Sequence, residues 1–148
     1  NELRNRGEEA HDTDDECVMI SKRTGNVVEH RDRKNDPHNW VYPAEKIAEL
    51  KELSRTKNVF LSGSIDNYED VRPVVDNYVW MEIPLDEPLR RLAQRRNDFG
   101  ESESEREYII NLHQQMEDMG HPKAFKLDAT RPIKQIADDL LEYASTLA

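Results

Sequence analysis

Val59-Phe60-Leu61-Ser62-Gly63-Ser64 is the stretch on which the fold turns. An unbroken apolar run closed by small polar residues predicts a short strand covered on both faces, as a parallel sheet requires. A strand with one wet face would alternate polar and apolar residues instead. Upstream of it, Pro43 opens a helix whose Ile47, Leu50 and Leu53 form one apolar stripe. Downstream, Asn67–Val75 reads as a short helix with Pro73 near its end, and Tyr78–Ile83 as a second buried strand. Ala124–Leu127 reads as a third, and Pro132 opens a last helix with Ile133, Ile136, Leu140 and Tyr143 toward the core. Near the start, Glu9-Ala10-His11 leads as a short strand into the carboxylates Asp12-Thr13-Asp14-Asp15-Glu16. Strands that alternate with helices predict an α/β fold: a three-layer parallel sheet with helices on both faces, in one domain spanning residues 1–148.

Three segments interrupt that rhythm. Cys17-Val18-Met19-Ile20 and Asn26-Val27-Val28-Glu29 flank Arg23-Thr24-Gly25, a pattern that predicts a β-hairpin. Residues 30–38 are polar and aperiodic and read as a loop. Asp86 is placed to cap a helix carrying Leu89 and Leu92, which Asn97-Asp98-Phe99-Gly100 breaks. Ser102 or Ser104 starts another helix, running through Met116 with Ile109 and Leu112 on its stripe.

Composition narrows the function. Of 148 residues, 36% are hydrophobic and 35% charged, and the net charge is -10. Such a surface repels phosphate backbones and anionic lipids, so nucleic acid and membrane surfaces are not expected partners. One cysteine, Cys17, makes no internal disulfide. No apolar run is long enough to span a bilayer, and no signal-peptide pattern occurs. The expectation is a soluble, cytoplasmic protein of unspecified oligomeric state.

Four motifs carry chemistry. In parallel sheets, ligands bind at the carboxyl ends of strands. There Asp12-Thr13-Asp14 offers two carboxylates, one to hold a Mg²⁺-bound water and one to accept a proton from a hydroxyl. Read alone, the same residues are better explained as a solvated acidic turn. Leu89–Gly100 is a helix rich in arginine, with Arg91 and Arg95 four apart on one face and Gly100 as a hinge. These arginines suit a triphosphate, although an exposed basic face pairing with acidic neighbours explains them as well. Asp128-Ala129-Thr130-Arg131-Pro132 makes a tight turn on which a planar base can lie, with Arg131 stacking over it. That turn also reads as an ordinary strand-to-helix connection with Thr130 as N-cap. Gly63 and Ser64 close the fourth motif, where glycine permits close approach of a ligand or of a neighbouring backbone. Trp40 and Tyr42 either line a substrate pocket or anchor the following helix. The five histidines are scattered and form no metal set.

Taken in order, Gly7–Asp14, Val59–Ser64, Leu89–Gly100 and Asp128–Pro132 resemble the small P-loop kinases of the shikimate kinase, adenylate kinase and nucleoside kinase type. The resemblance covers nearly the whole chain. It implies an ATP-binding phosphotransferase with ATP and Mg²⁺ as cofactors and a small hydroxyl-bearing acceptor. Asp12 would help place Mg²⁺, and Asp14 would orient the acceptor together with Trp40, Gly63 and Ser64. Arg91 and Arg95 would clamp phosphates, with Arg96 a further candidate, and residues 97–104 would form the lid. Thr130, Arg131 and Pro132 would hold adenine. Residues 15–42 would form the acceptor region.

One departure is large. The family opens with a strand and Gly-x-x-x-x-Gly-Lys-[Ser/Thr], and no such motif occurs in these 148 residues. Its amides and lysine would hold the β- and γ-phosphates. In the family's strand order, 2-3-1-4-5, the absent strand is the central one. Its loss would leave two sheet fragments with unpaired buried backbone groups between them. Glu2–Arg6 would then be the tail of the helix that follows the loop, and the expectation is a chain whose natural beginning lies upstream of Asn1. Such a chain would be inactive or impaired. The alternative is a non-catalytic, degenerate nucleotide-binding or interaction module.

Overall fold

Glu2–Asn5 forms a single helical turn, α1, stopped at Gly7, whose φ of +85° suits glycine and few other residues. The structure, a computed structural model, describes residues 2–94, 103–119 and 124–147. The chain divides into two units, Asn1–Asp76 and Asn77–Ala148.

In the first unit, β1 (Glu9–Asp12) leads directly into the short helix α2 (Thr13–Glu16). Then come β2 (Val18–Ser21), a 3-10 turn at His30–Asp32, β3 (His38–Val41) and α3 (Ala44–Leu53). β4 (Val59–Ser62) precedes α4 (Tyr68–Val71), which tightens into a 3-10 turn at Arg72–Val74. β1 and β4 pair in parallel, with Ala10 opposite Phe60 and Asp12 opposite Ser62, so both carboxyl ends finish side by side. Tyr42, Leu50 and Val71 are buried and gather Ile47, Leu61 and Val75 around them. Full burial of a Leu or Val side chain stabilises by about 1.5–3 kcal/mol. This apolar cluster therefore ties α3 to the α4 segment more firmly than a two-stranded sheet could alone.

The second unit holds β5 (Val79–Glu82), α5 (Asp86–Gln94), α6 (Glu103–Met119), β6 (Phe125–Asp128) and α7 (Ile133–Thr146). β5 and β6 pair in parallel, with Val79 opposite Phe125 and Glu82 opposite Asp128. Leu127, Ala129, Ile136 and Ala137 are buried between β6 and α7. The Phe125 and Tyr143 rings stack there at 4.0 Å with planes 5° apart.

The α/β character agrees with the sequence. Several finer expectations are corrected. Among the described residues the strands form three separate two-stranded sheets, β1–β4, β2–β3 and β5–β6, and no three-layer sheet is shown. The apolar strands are accordingly half-covered rather than buried on both faces, and Met81 is 45% exposed. The expected hairpin shrinks to one bridge, Ile20 to Val27, around Gly25 at φ +73°. β2 takes its full antiparallel ladder from β3 instead, with Met19 opposite Trp40. Val27 is 66% exposed, whereas β3 runs on into buried Tyr42, so β3 offers the better-covered partner. Asp86 lies inside the first turn of α5 rather than capping it, and Pro132, not Thr130, occupies the cap of α7. Ile133, expected in the core, is 61% exposed on the first turn of α7. Among the described residues no helix is long and apolar enough to cross a membrane.

Candidate functional site

The paired ends of β1 and β4 bring the first and fourth motifs together. Asp12 is the last residue of β1, and its Oδ1 accepts a hydrogen bond from the Asp14 amide at 3.1 Å. The acidic turn therefore caps α2, which the reading as a solvated turn did not anticipate. Asp14 itself is exposed. Thr13, between them, is 1% exposed, and its hydroxyl donates to the Ser64 carbonyl at 3.4 Å. Gly63 adopts φ +120°, and a Cβ there would lie 1.8 Å from Thr13 Oγ1 and 2.9 Å from Thr13 Cβ. The sequence allows this glycine close approach of a ligand or of a neighbouring backbone; in the structure it is the Thr13 side chain that fills the space above Gly63. The Ser62 hydroxyl adds a bond to the His11 carbonyl at 3.3 Å.

Behind this edge runs a polar chain that sequence reading missed. Lys57 Nζ contacts Glu9 at 2.6 Å, and Glu9 contacts His11 Nε2 at 3.1 Å. His11 Nδ1 lies 2.8 Å from Glu16, whose other oxygen accepts the Tyr42 hydroxyl at 2.5 Å. Carboxylates only accept, so each ring nitrogen that carries a proton finds a partner. Burial works against the Glu16 carboxylate, but its bonds from Tyr42 and His11 outweigh that and hold its pKa below the ordinary value. For Tyr42, burial and then the Glu16 charge push the phenol pKa upward. Glu9 and His11 lie two apart, the strand period that sets them on one face of β1, whereas Glu16 follows His11 by five, a spacing with no strand or helix period, and the turn at α2 brings it to them.

Trp40, a candidate substrate residue, is half-buried in β3, and its amide donates to Asp66 at 2.6 Å. Asn67 does the same for Tyr42, accepting from its amide at 2.8 Å and donating to its carbonyl at 3.0 Å. These two side chains satisfy the outer edge of β3 and fasten the loop after β4 to it.

In the second unit, the second arginine of the α5 helix reaches the expected base loop. Arg91 Nη2 donates to the Ala129 carbonyl at 3.2 Å. Glu87 meanwhile contacts Arg91 at 2.8 Å and Arg90 at 2.7 Å. Hydrogen bonds from those two guanidinium groups lower the Glu87 pKa to about 2. Thr130 donates through its amide and its hydroxyl to Asp128 Oδ1, at 2.9 and 2.6 Å, which fixes the turn. Arg131 is drawn back along α7 to Asp139 and Gln135 rather than standing over a base. Pro132 is exposed at the cap of α7. Arg95, Arg96 and lid residues 97–102 lie outside the described residues.

An open groove of about 470 Å³ runs along β6 and α7, with Phe125, Tyr143 and Arg131 among its lining. Among the described residues no three His, Cys, Asp or Glu side chains gather to hold a metal ion. Asp12 spends Oδ1 on its cap, so its second oxygen is what it can offer. That fits Mg²⁺ only where water and phosphate oxygens supply the rest of the shell. Compared with family models, curated proteins and solved structures, the chain matches none.

Proposed function

We propose that these 148 residues are the acceptor, lid and base-binding portions of an ATP-dependent phosphotransferase acting on a small hydroxyl-bearing molecule. The observation that carries this reading is the hydrogen bond from Arg91 to the Ala129 carbonyl, which brings the arginine helix to the turn proposed to receive adenine. The two parallel pairs add support, since each joins strands that are neighbours in the order 2-3-1-4-5. In this reading Asp14 orients the acceptor hydroxyl, and Asp12 contributes one oxygen to Mg²⁺. Arg91 and Arg95 neutralise charge on the phosphates, while Thr130, Arg131 and Pro132 hold the base. Bound Mg²⁺ would supply charge neutralisation at the transferred phosphoryl group.

The test is a fusion that places a β-strand and Gly-x-x-x-x-Gly-Lys-Ser ahead of Asn1. The fused chain is expected to bind Mg-ATP and to hydrolyse or transfer its γ-phosphate, and Arg91→Ala or Arg95→Ala should lower turnover far more than adenine binding. Turnover unchanged by either substitution would remove the lid assignment. A second reading, a non-catalytic nucleotide-binding or interaction module, is favoured by Glu87, which already engages Arg90 and Arg91. A fused chain that binds Mg-ATP without turnover would support it.

A further inference from the structure

We propose that the free edge of β6 is a docking groove for an extended, basic peptide segment, which adds to the sheet as a third strand. Side chains of a strand point alternately to its two faces, so a cavity lying over one face is lined by every second residue. The groove here is lined by Phe125, Lys126, Leu127 and Asp128 in succession. It therefore follows the edge of the strand, with α7 as its far wall. The amides of Phe125 and Ala129 donate to the Tyr78 and Glu82 carbonyls of the β5 side, at 2.9 and 2.8 Å. Alternation then directs the backbone N–H and C=O groups of Lys126 and Asp128 to the opposite edge. Among the described residues no strand pairs with β6 there. The Asp128 carbonyl accepts from the Arg131 amide at 3.5 Å, which leaves the Lys126 N–H and C=O and the Asp128 N–H at that edge for strand addition.

Charge selects the occupant. Asp128, Asp139 and Glu142 line the groove against Lys126 and Arg131. Both basic groups are already engaged, Lys126 with Glu82 at 2.6 Å and Arg131 with Asp139. The groove is thus short of positive charge, in a chain of net charge -10. The stacked Phe125 and Tyr143 rings provide an apolar surface beside these carboxylates. A segment alternating apolar and basic residues meets both from one face: its basic side chains turn toward α7, where their methylene stems lie on the rings and their charged ends reach Glu142.

The experiment uses the 148-residue chain and two short fluorescent peptides, one alternating Lys and Val and the other Glu and Val. Anisotropy should show binding of the Lys-Val peptide only, and hydrogen exchange should show protection of the Lys126 and Asp128 amides in the complex. Glu142→Lys, an exposed change that leaves the core intact, should weaken binding roughly tenfold or more, since it places like charges opposite each other. Equal binding of both peptides, no binding, or binding that leaves those two amides unprotected would each overturn the proposal. So would protection of the same amides through concentration-dependent dimerisation without peptide, because a second copy would then be the occupant.

Discussion

A Cβ placed on Gly63 would lie 1.8 Å from the hydroxyl oxygen of Thr13, fifty positions earlier in the chain. Thr13 is almost wholly buried, and Gly63 closes the turn after β4, so this contact locks the two carboxyl ends of the first parallel pair against each other. Gly63→Ala should therefore cost about 1–3 kcal/mol from overpacking, with a comparable strain from forcing alanine to φ +120°. Urea unfolding measures this directly. Adding Thr13→Ala should recover only part of the loss, since Thr13 Cβ would still lie 2.9 Å away and the backbone strain would persist. A double variant as stable as the wild type would show that the backbone at Gly63 carries no strain.

Tyr42→Phe removes the donor that Glu16 receives in a largely covered position. A buried acceptor left unsatisfied costs about 1–3 kcal/mol, and that is the expected loss in chemical denaturation. The pH dependence follows from the depressed Glu16 pKa. Between the folded value and the ordinary one near 4.5, the unfolded chain binds more protons than the folded chain. Stability from this group is thus complete above that ordinary value and is lost as pH falls through the folded value. Glu16→Gln should remove that part of the acid slope.

Cys17 should be a poor nucleophile. Burial first, and then the charges of Asp14, Glu16 and Asp66, raise its thiol to about 11. Alkylation by iodoacetamide at pH 8 should be far slower for the folded chain than for the chain in urea, because the thiolate is the reacting form. Equal rates would show that the thiol is open and uncharged in its surroundings.

Glu87 should titrate near pH 2 when its side-chain carboxyl is followed by NMR, as the Arg90 and Arg91 bonds require. Its pKa is lowered, so the ion pairs persist above the ordinary glutamate value and disappear as pH falls through about 2. Glu87→Gln releases both arginines. Under the phosphotransferase reading this should strengthen binding of inorganic triphosphate to the chain, and unchanged binding would argue that these arginines serve only the helix surface.

Much of the scaffold was legible because its signals are local. Val59-Phe60-Leu61 and the run from Tyr78 announce strands by apolar continuity, and Gly7 announces a helix stop. β3 was not legible, because His38-Asn39-Trp40-Val41 mixes polar and apolar residues. Its strand character is imposed by the ladder with β2 and by Asp66, which bonds the Trp40 backbone from the other side. At the site, the strand-end residues were found but their mutual arrangement was not. The Thr13–Gly63 contact joins residues far apart in sequence. The His11–Glu16–Tyr42 chain depends on a turn whose geometry no periodicity records. Coverage was overestimated for β5, since apolar continuity signals what a strand needs and not which partners are at hand.

In the proposed function these residues carry the lid and base-binding parts of a phosphotransferase without its grip on the phosphates. Titration calorimetry of the 148-residue chain with Mg-ATP tests it most directly, alongside the chain fused to a strand and Gly-x-x-x-x-Gly-Lys-Ser. The chain alone is expected to bind with a dissociation constant in the roughly millimolar range or weaker, about -4 kcal/mol at best, and the fusion at least tenfold more tightly. Micromolar binding by the chain alone, or no gain on fusion, would contradict the proposed function.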